Sequence, residues 1–274
     1  MNRIVEQMKR TALLPEQTAL WYLGQESIVC KHHGAFLGVD LYLTDYVDKN
    51  SHRDPPWVRS YPSPVAPEEL DCLDVVLCTH PHGDHMDPWT LPKLAKANEK
   101  TVFVVPAPSV RKVVSFGIEE NRILPARADV PMELAGFRIT PIPAAHTELH
   151  TDANGDYIEL SYLIETEACR LFHAGDLCMY EGLMERLDKV DVAALPVNGR
   201  DHFRTADGII GNLTCEEAAM LAEAAGMGMV IPMHHDLYRF NGVPTEAFVN
   251  AMEKYCRYRP YHIFAPGERY IFSR

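Results

Sequence analysis

The chain has 274 residues, 47% of them hydrophobic, and a formal net charge of −12. That length can bury a substantial core, and the acidic balance argues against a general nucleic-acid or anionic-membrane surface. Seven cysteines without a Cys-x-x-Cys pair, no secretory h-region and no apolar run of the roughly 18 residues a membrane span needs fit a cytoplasmic protein with reduced thiols.

In chain order, period-two and apolar runs predict strands at 19–31, 34–43 and 74–79, a helix at 86–98, a strand at 101–106 and a helix at 108–116. Strands at 137–143, 157–166 and 169–174 follow, then a helix at 180–188 and a strand at 191–197. A helix at 214–226, a strand at 228–233, a helix at 244–257 and a strand at 260–273 complete the order. The helix at 214 is well marked: Thr214 and Glu217 have capping-box spacing, Ala218, Leu221, Ala222 and Ala225 form a stripe, and Gly226 closes it. Thr245 is the expected N-cap of the helix that follows. The Pro-rich stretch from Asp54 to Pro67 reads as a long loop near the site rather than a linker, so a single domain over residues 1–274 is expected.

The chemistry concentrates in His80-Pro81-His82-Gly83-Asp84-His85, directly after the apolar run 74–78. His80 and His82, two residues apart, point the same way in an extended segment, and Gly83 turns Asp84 and His85 toward a neighbouring position. Imidazole and carboxylate donors without thiolate suit zinc, manganese or iron. Further ligands stand at the ends of later strand-like runs: His146 after 142–145, Asp176 after 171–175, and His234 or His235 after 230–233. Strand alternation puts His234 and His235 on opposite faces without saying which face meets the metals. His173 reads as a supporting histidine, and His32, His33, His52, His202 and His262 carry no ligand pattern.

The His-x-His-x-Asp-His run resembles the signature of the metallo-β-lactamase superfamily. Trp21–Gln25 with Gly38–Asp45 is similar to that fold's opening strands. The Asn198-Gly199-Arg200-Asp201 and Met233-His234-His235-Asp236 blocks resemble the bacterial L-ascorbate-6-phosphate lactonase branch. Leu41 departs from the branch, where proline usually follows the aspartate. The resemblance, over roughly residues 19–270, implies an α/β fold: an αββα sandwich of two mixed β-sheets flanked by helices. It implies two divalent ions, Mn2+ or Zn2+, the first held by His80, His82 and His146 and the second by Asp84, His85 and His234. Asp176 would bridge them, and the motif selects His234 over His235. It further implies a hydrolase in which the ion pair activates a water and Asp84 handles its proton. Asn198 and Arg200 would hold a phosphorylated sugar lactone, with Arg204 a weaker candidate cation. A homo-oligomer acting on a small molecule, away from membranes and nucleic acid, is expected.

The spacings from His85 to His146, to Asp176 and to His234 leave no room for the extra domain of RNA-processing relatives, so a small cyclic phosphodiester is the competing substrate. A non-catalytic binding protein is the competing class, and the full ligand set speaks against it. The loop 150–156 is read either as a selector over the pocket or as a solvated turn.

Overall fold

The computed structural model describes residues 2–54 and 56–274. Among the described residues, thirteen strands form two mixed sheets. The first sheet contains β1 (Gln17–Gly24), β2 (Ser27–His32), β3 (Ala35–Val39), β4 (Val75–Leu77), β5 (Val102–Pro106), β6 (Ile123–Ala126) and the last strand, β13 (Arg269–Ser273). Its spatial order is β13-β1-β2-β3-β4-β5-β6, antiparallel up to β3 and parallel beyond it. The second sheet contains β7 (Met132–Leu134), β8 (Phe137–Pro143), β9 (Leu160–Glu165), β10 (Arg170–His173), β11 (Val192–Pro196) and β12 (Met229–Met233). These run in the order β12-β11-β10-β9-β8-β7, with β10, β11 and β12 parallel.

Strand alternation sorts the buried side chains into three layers. Leu20, Tyr22, Ile28, Leu37 and Leu77 meet Ile139, Tyr162, Leu171 and Ile231 between the sheets. Their neighbours Trp21, Val29 and Val76 point outward to α1 (Arg3–Arg10), α3 (Leu91–Ala97) and α4 (Val110–Ser115), following the short α2 (Tyr46–Asn50) in the case of the last two. On the far side, Phe172, Ala193, Leu195 and Val230 pack against α6 (Cys215–Ala224) and α7 (Thr245–Tyr255), which follow the short α5 (His202–Ala206). The result is the αββα sandwich that the family resemblance implied.

Several elements differ from expectation. The run 19–31 is two strands, broken at Gln25 and Glu26 into a hairpin. The helix expected over 180–188 is only a 3-10 turn, Met184–Arg186, because Gly182 (φ +92°) and Lys189 (φ +54°) leave helical space on either side of it. Of the strand expected at 260–273, only β13 forms. Pro244, not Thr245, is the N-cap of α7. The helix α1 was not expected; it buries Val5 and Met8, is capped by the Asn2 side chain, and its last carbonyls accept from the buried Lys31 ammonium.

The capping box of α6 is present, with the Thr214 hydroxyl accepting from Glu217 N and the Glu217 carboxylate accepting from Thr214 N. Thr214→Ala should lower the unfolding free energy by about 1 kcal/mol, read from urea denaturation, with the midpoint shifted and the slope unchanged.

Candidate metal centre

Strand ends bring the donors together. β4, β8, β10 and β12 all stop on one edge of the sandwich, and the loops leaving them carry His80 to His85, His146, Asp176 and His234. The first loop folds back tightly, with His85 N and Met86 N donating to His82 O. Glycine at position 83 lets the Tyr46 ring approach closely, since a Cβ would lie 2.8 Å from it and force a shift. After β10 the chain turns at Gly175, whose φ is +60° and whose Cβ would lie 2.8 Å from the Thr79 side chain. After β12 the turn is made by His234 itself, in the left-handed region at φ +57°.

Two groups of donors result. In the first, His82 Nδ1 lies 2.9 Å from His80 Nε2 and 3.3 Å from His146 Nε2. Asp176 Oδ2 completes it, 3.1 Å from His146 Nε2 and 3.6 Å from His80 Nε2. In the second, Asp84 Oδ2 lies 3.7 Å from His85 Nε2 and 3.5 Å from His234 Nε2. Asp176 Oδ1 is 3.5 Å from each of those two nitrogens. One carboxylate thus turns one oxygen to each group. His235 belongs to neither group; it is buried with Nδ1 unpartnered, beside Ser60 and Arg239.

A layer behind the donors fixes their orientation. Asp40 Oδ2 accepts from His85 Nδ1 at 2.8 Å and from the Thr79 hydroxyl at 2.6 Å, while Oδ1 accepts from Thr79 N. That leaves His85 Nε2 facing the second group, fully buried and without a hydrogen-bond partner, as a metal ligand would be. Asn212 Nδ2 donates to Asp176 Oδ1 at 2.8 Å and to Asn198 Oδ1 at 3.0 Å. The His173 ring sits beside Glu26, its Nε2 2.8 Å from the Glu26 carbonyl oxygen. The donor set, its burial and this orphaned nitrogen fit divalent metal ions.

The two groups carry different protons. Burial pushes the His80 and His82 imidazoles down and takes His146 to about 4, so the first group offers neutral nitrogens at neutral pH. Burial would also lower His234, but the carboxylates, Asp176 foremost, carry it up to about 9. His85 is raised in the same way by Asp176, Asp84 and Asp40. Burial would raise Asp84, but His85 and His234 hold its carboxyl well below the usual range.

Asn198 and Arg200, expected to hold substrate, lie elsewhere. Asn198 is fully buried and links Asn212 to Asn241 Oδ1. The Arg200 guanidinium makes two 2.6 Å bonds to the Glu217 carboxylate and one to Asn212 O, outside the cleft over the donors. Arg204 is bound to Asp201, Asn198 O and Asn241 Oδ1. The cleft itself, about 240 Å³, is walled by Val47, Trp57, Ile209, Ile210, Tyr238 and Asn241, so the Pro-rich loop does reach the site through Trp57. The segment 150–156 is largely exposed and does not line it. Sequence reasoning missed Gln25, whose side chain touches the second group, because 19–31 read as one continuous strand; the Gly24-Gln25 break was the available signal.

Residues 48–235 match the family model described as the β-lactamase superfamily domain. The fold and donor set are those of a metal-dependent hydrolase, and the chain belongs to the metallo-β-lactamase superfamily. It is 29% identical over 233 residues to a UPF0173 metal-dependent hydrolase of Aeropyrum pernix, covering 80% of this chain and 88% of that one. It is 24% identical to the probable L-ascorbate-6-phosphate lactonase of Salmonella heidelberg, covering 88% and 76%. Among solved structures, the isothiocyanate hydrolase from Delia radicum gut bacteria shares the fold with a TM-score of 0.73 at 18% identity, covering 93% and 100%. No described helix is long and apolar enough to cross a membrane.

The proton difference predicts pH-dependent loading. At pH 7 an ion entering the second group must displace protons from His234 and His85, whereas one entering the first displaces none. Second-group affinity should therefore rise with pH, about tenfold per unit for the His234 proton up to about pH 9, while first-group affinity changes little near neutral pH. Calorimetric titrations of metal-free protein in buffers of different ionisation enthalpy count the protons released at each step, and equal counts would contradict the assignment.

Proposed function

We propose that this chain hydrolyses a lactone or related carboxylic ester of a small molecule with two divalent ions. His80, His82 and His146 hold the first ion, Asp84, His85 and His234 the second, and Asp176 is shared. The observation that carries this reading is the division of the Asp176 oxygens between two groups of buried nitrogens. When bound, such an ion pair lowers the pKa of a shared water and stabilises negative charge developing on the attacked oxygen. Asp84, which lines the cleft, accepts or relays the proton of that water. The His85 ring is kept in register by Asp40, and Asp176 by Asn212. Imidazole and carboxylate donors suit manganese or zinc.

The lactonase relative supports a lactone as the electrophile. The cleft walls refine this. Their described lining is aliphatic and aromatic, with Asn241 the added polar side chain and no lysine or arginine. Among the described residues near the cleft no cation is free for a phosphate held away from the metals: Arg53, over the Trp57 ring, pairs with Asp207, Arg200 with Glu217 and Arg204 with Asp201. A small lactone or ester with an uncharged, partly apolar body therefore fits better than L-ascorbate 6-phosphate, which the sequence blocks suggested. The same activated water can attack phosphorus, so a cyclic nucleotide belongs in the comparison.

Neutral lactones, L-ascorbate 6-phosphate and cyclic nucleotides, each assayed with manganese and with zinc, separate these substrates. Turnover should favour neutral lactones. Arg200→Lys should leave the ratio of phosphorylated to neutral turnover unchanged, and a selective loss of the phosphorylated substrate would restore Arg200 as its anchor.

Asp84→Asn keeps the side chain's size and an oxygen donor. It should lower turnover by a factor on the order of 10² or more while the fold and at least one ion are retained. Near-normal turnover of the metal-loaded variant would assign the proton to another group.

A further inference from the structure

Gln25 occupies the tip of the β1–β2 hairpin, 1% exposed and in the left-handed region at φ +56°. Its backbone is pinned: the carbonyl oxygen accepts from His234 N at 3.0 Å and from the Tyr22 hydroxyl at 3.0 Å. Its side-chain Nε2 lies 2.9 Å from Asp84 Oδ2 and 3.0 Å from His234 Nε2. Those two atoms, themselves 3.5 Å apart, are both donors of the second group.

This triangle has the size of a coordination face. Bonds of about 2.0–2.2 Å to a divalent ion set neighbouring donors about 2.8–3.1 Å apart in an octahedron and about 3.3–3.6 Å apart in a tetrahedron. The Gln25 terminal atom therefore stands where another ligand of the same ion would stand.

Amide orientation decides which atom that is. With nitrogen inward, the NH2 group donates to Asp84 Oδ2 and faces His234 Nε2, which accepts only when it carries no proton. An ion held by those atoms takes the single lone pair of His234 Nε2 and one of the two on Asp84 Oδ2, so the NH2 loses an acceptor and faces a cation. A half-turn of the amide removes the conflict and puts Oε1 in the same place, because the two ends of the amide are nearly the same size.

We propose that Gln25 is a ligand of the second ion through Oε1. The proposal rests on the assignment of Asp84, His85, His234 and Asp176 to that ion and not on the substrate. It makes the two positions chemically unequal: the first has three imidazoles and one carboxylate oxygen, while the second has two imidazoles and three oxygens. Oxygen donors favour manganese over zinc relative to imidazole, so the second position should be the more receptive to manganese.

Two variants separate the oxygen from the space it fills. Gln25→Met keeps length and bulk without a hard donor, and Gln25→Glu offers only oxygen. Metal-free wild type, both variants, His80→Ala and His234→Ala are titrated with Mn2+ by calorimetry. Electron paramagnetic resonance counts bound manganese, and circular dichroism checks folding. Gln25→Met should weaken the second ion at least about tenfold while leaving the first unchanged, and Gln25→Glu should retain or tighten it. Wild-type affinity for both ions in Gln25→Met overturns the proposal. So does a folded Gln25→Glu protein that loses the second ion as Gln25→Met does, since the site would then need the amide's NH2. If His234→Ala keeps the ion that His80→Ala also keeps, the assignment of the second group fails first and the proposal fails with it.

Discussion

Asp176 is the constraint on which the site depends. Its carboxylate sits between two sets of imidazoles, Oδ2 toward His80 and His146 and Oδ1 toward His85 and His234. A rotation of the carboxylate would take an oxygen from both sets at once. The chain prevents this from two directions. Gly175 presses against Thr79 in a conformation that suits glycine, which sets where the Asp176 backbone enters. Asn212, just before α6, donates to Oδ1 and is itself held by Asn198. The two sheets therefore meet functionally at one side chain: β10 delivers it, and the loop after β4 surrounds it.

The electrostatics of the interior follow from the same arrangement. Glu26, Asp40, Asp84 and Asp176 crowd around His85, and Glu26 is fully buried with neither carboxylate oxygen hydrogen-bonded. Burial pushes the Glu26 carboxyl well above the ordinary range, and nearby carboxylates add to the rise. Such a concentration of acid is costly in a low-dielectric interior unless cations share the space. Without metal, the protonated second-group histidines supply that charge, which is why His234 is raised to about 9. Divalent ions can replace those protons. The protonation pattern and the metal reading are two views of one charge balance.

Sequence legibility tracked the locality of the contacts. The donors between His80 and His85 lie within six positions, and His146, Asp176 and His234 each end an apolar run, so spacing and strand logic reached them together. Choosing His234 over His235 needed family likeness, because alternation names two faces but not the one that meets the edge. Gln25 reaches Asp84 across 59 positions and His234 across 209, a pairing that no local pattern encodes. Arg200 was visible as a cation at a strand end, yet its partner Glu217 sits on a capping turn 17 residues later and takes its guanidinium. The 180–188 segment misled because Leu183 and Leu187 are buried at helical spacing, while the backbone at Gly182 and Lys189 permits only a short turn.

The Arg200–Glu217 pair also bears on which surfaces face the cleft. Glu217 already serves the capping box of α6, accepting from Thr214 N through the same Oε2 that accepts from Arg200. The pair therefore ties α6 to the loop after β11. Arg204 does similar work, closing α5 onto Asn198 O and the cleft residue Asn241. Arg204 supports the cleft residue Asn241 and Arg200 lies outside the cleft, so neither presents free charge to its opening. The surfaces left to meet a substrate are the rings and aliphatic chains of Trp57, Tyr238, Val47, Ile209 and Ile210. A scaffold can thus keep its metal-binding edge unchanged while the loops after α2 and α5 set which molecule approaches it.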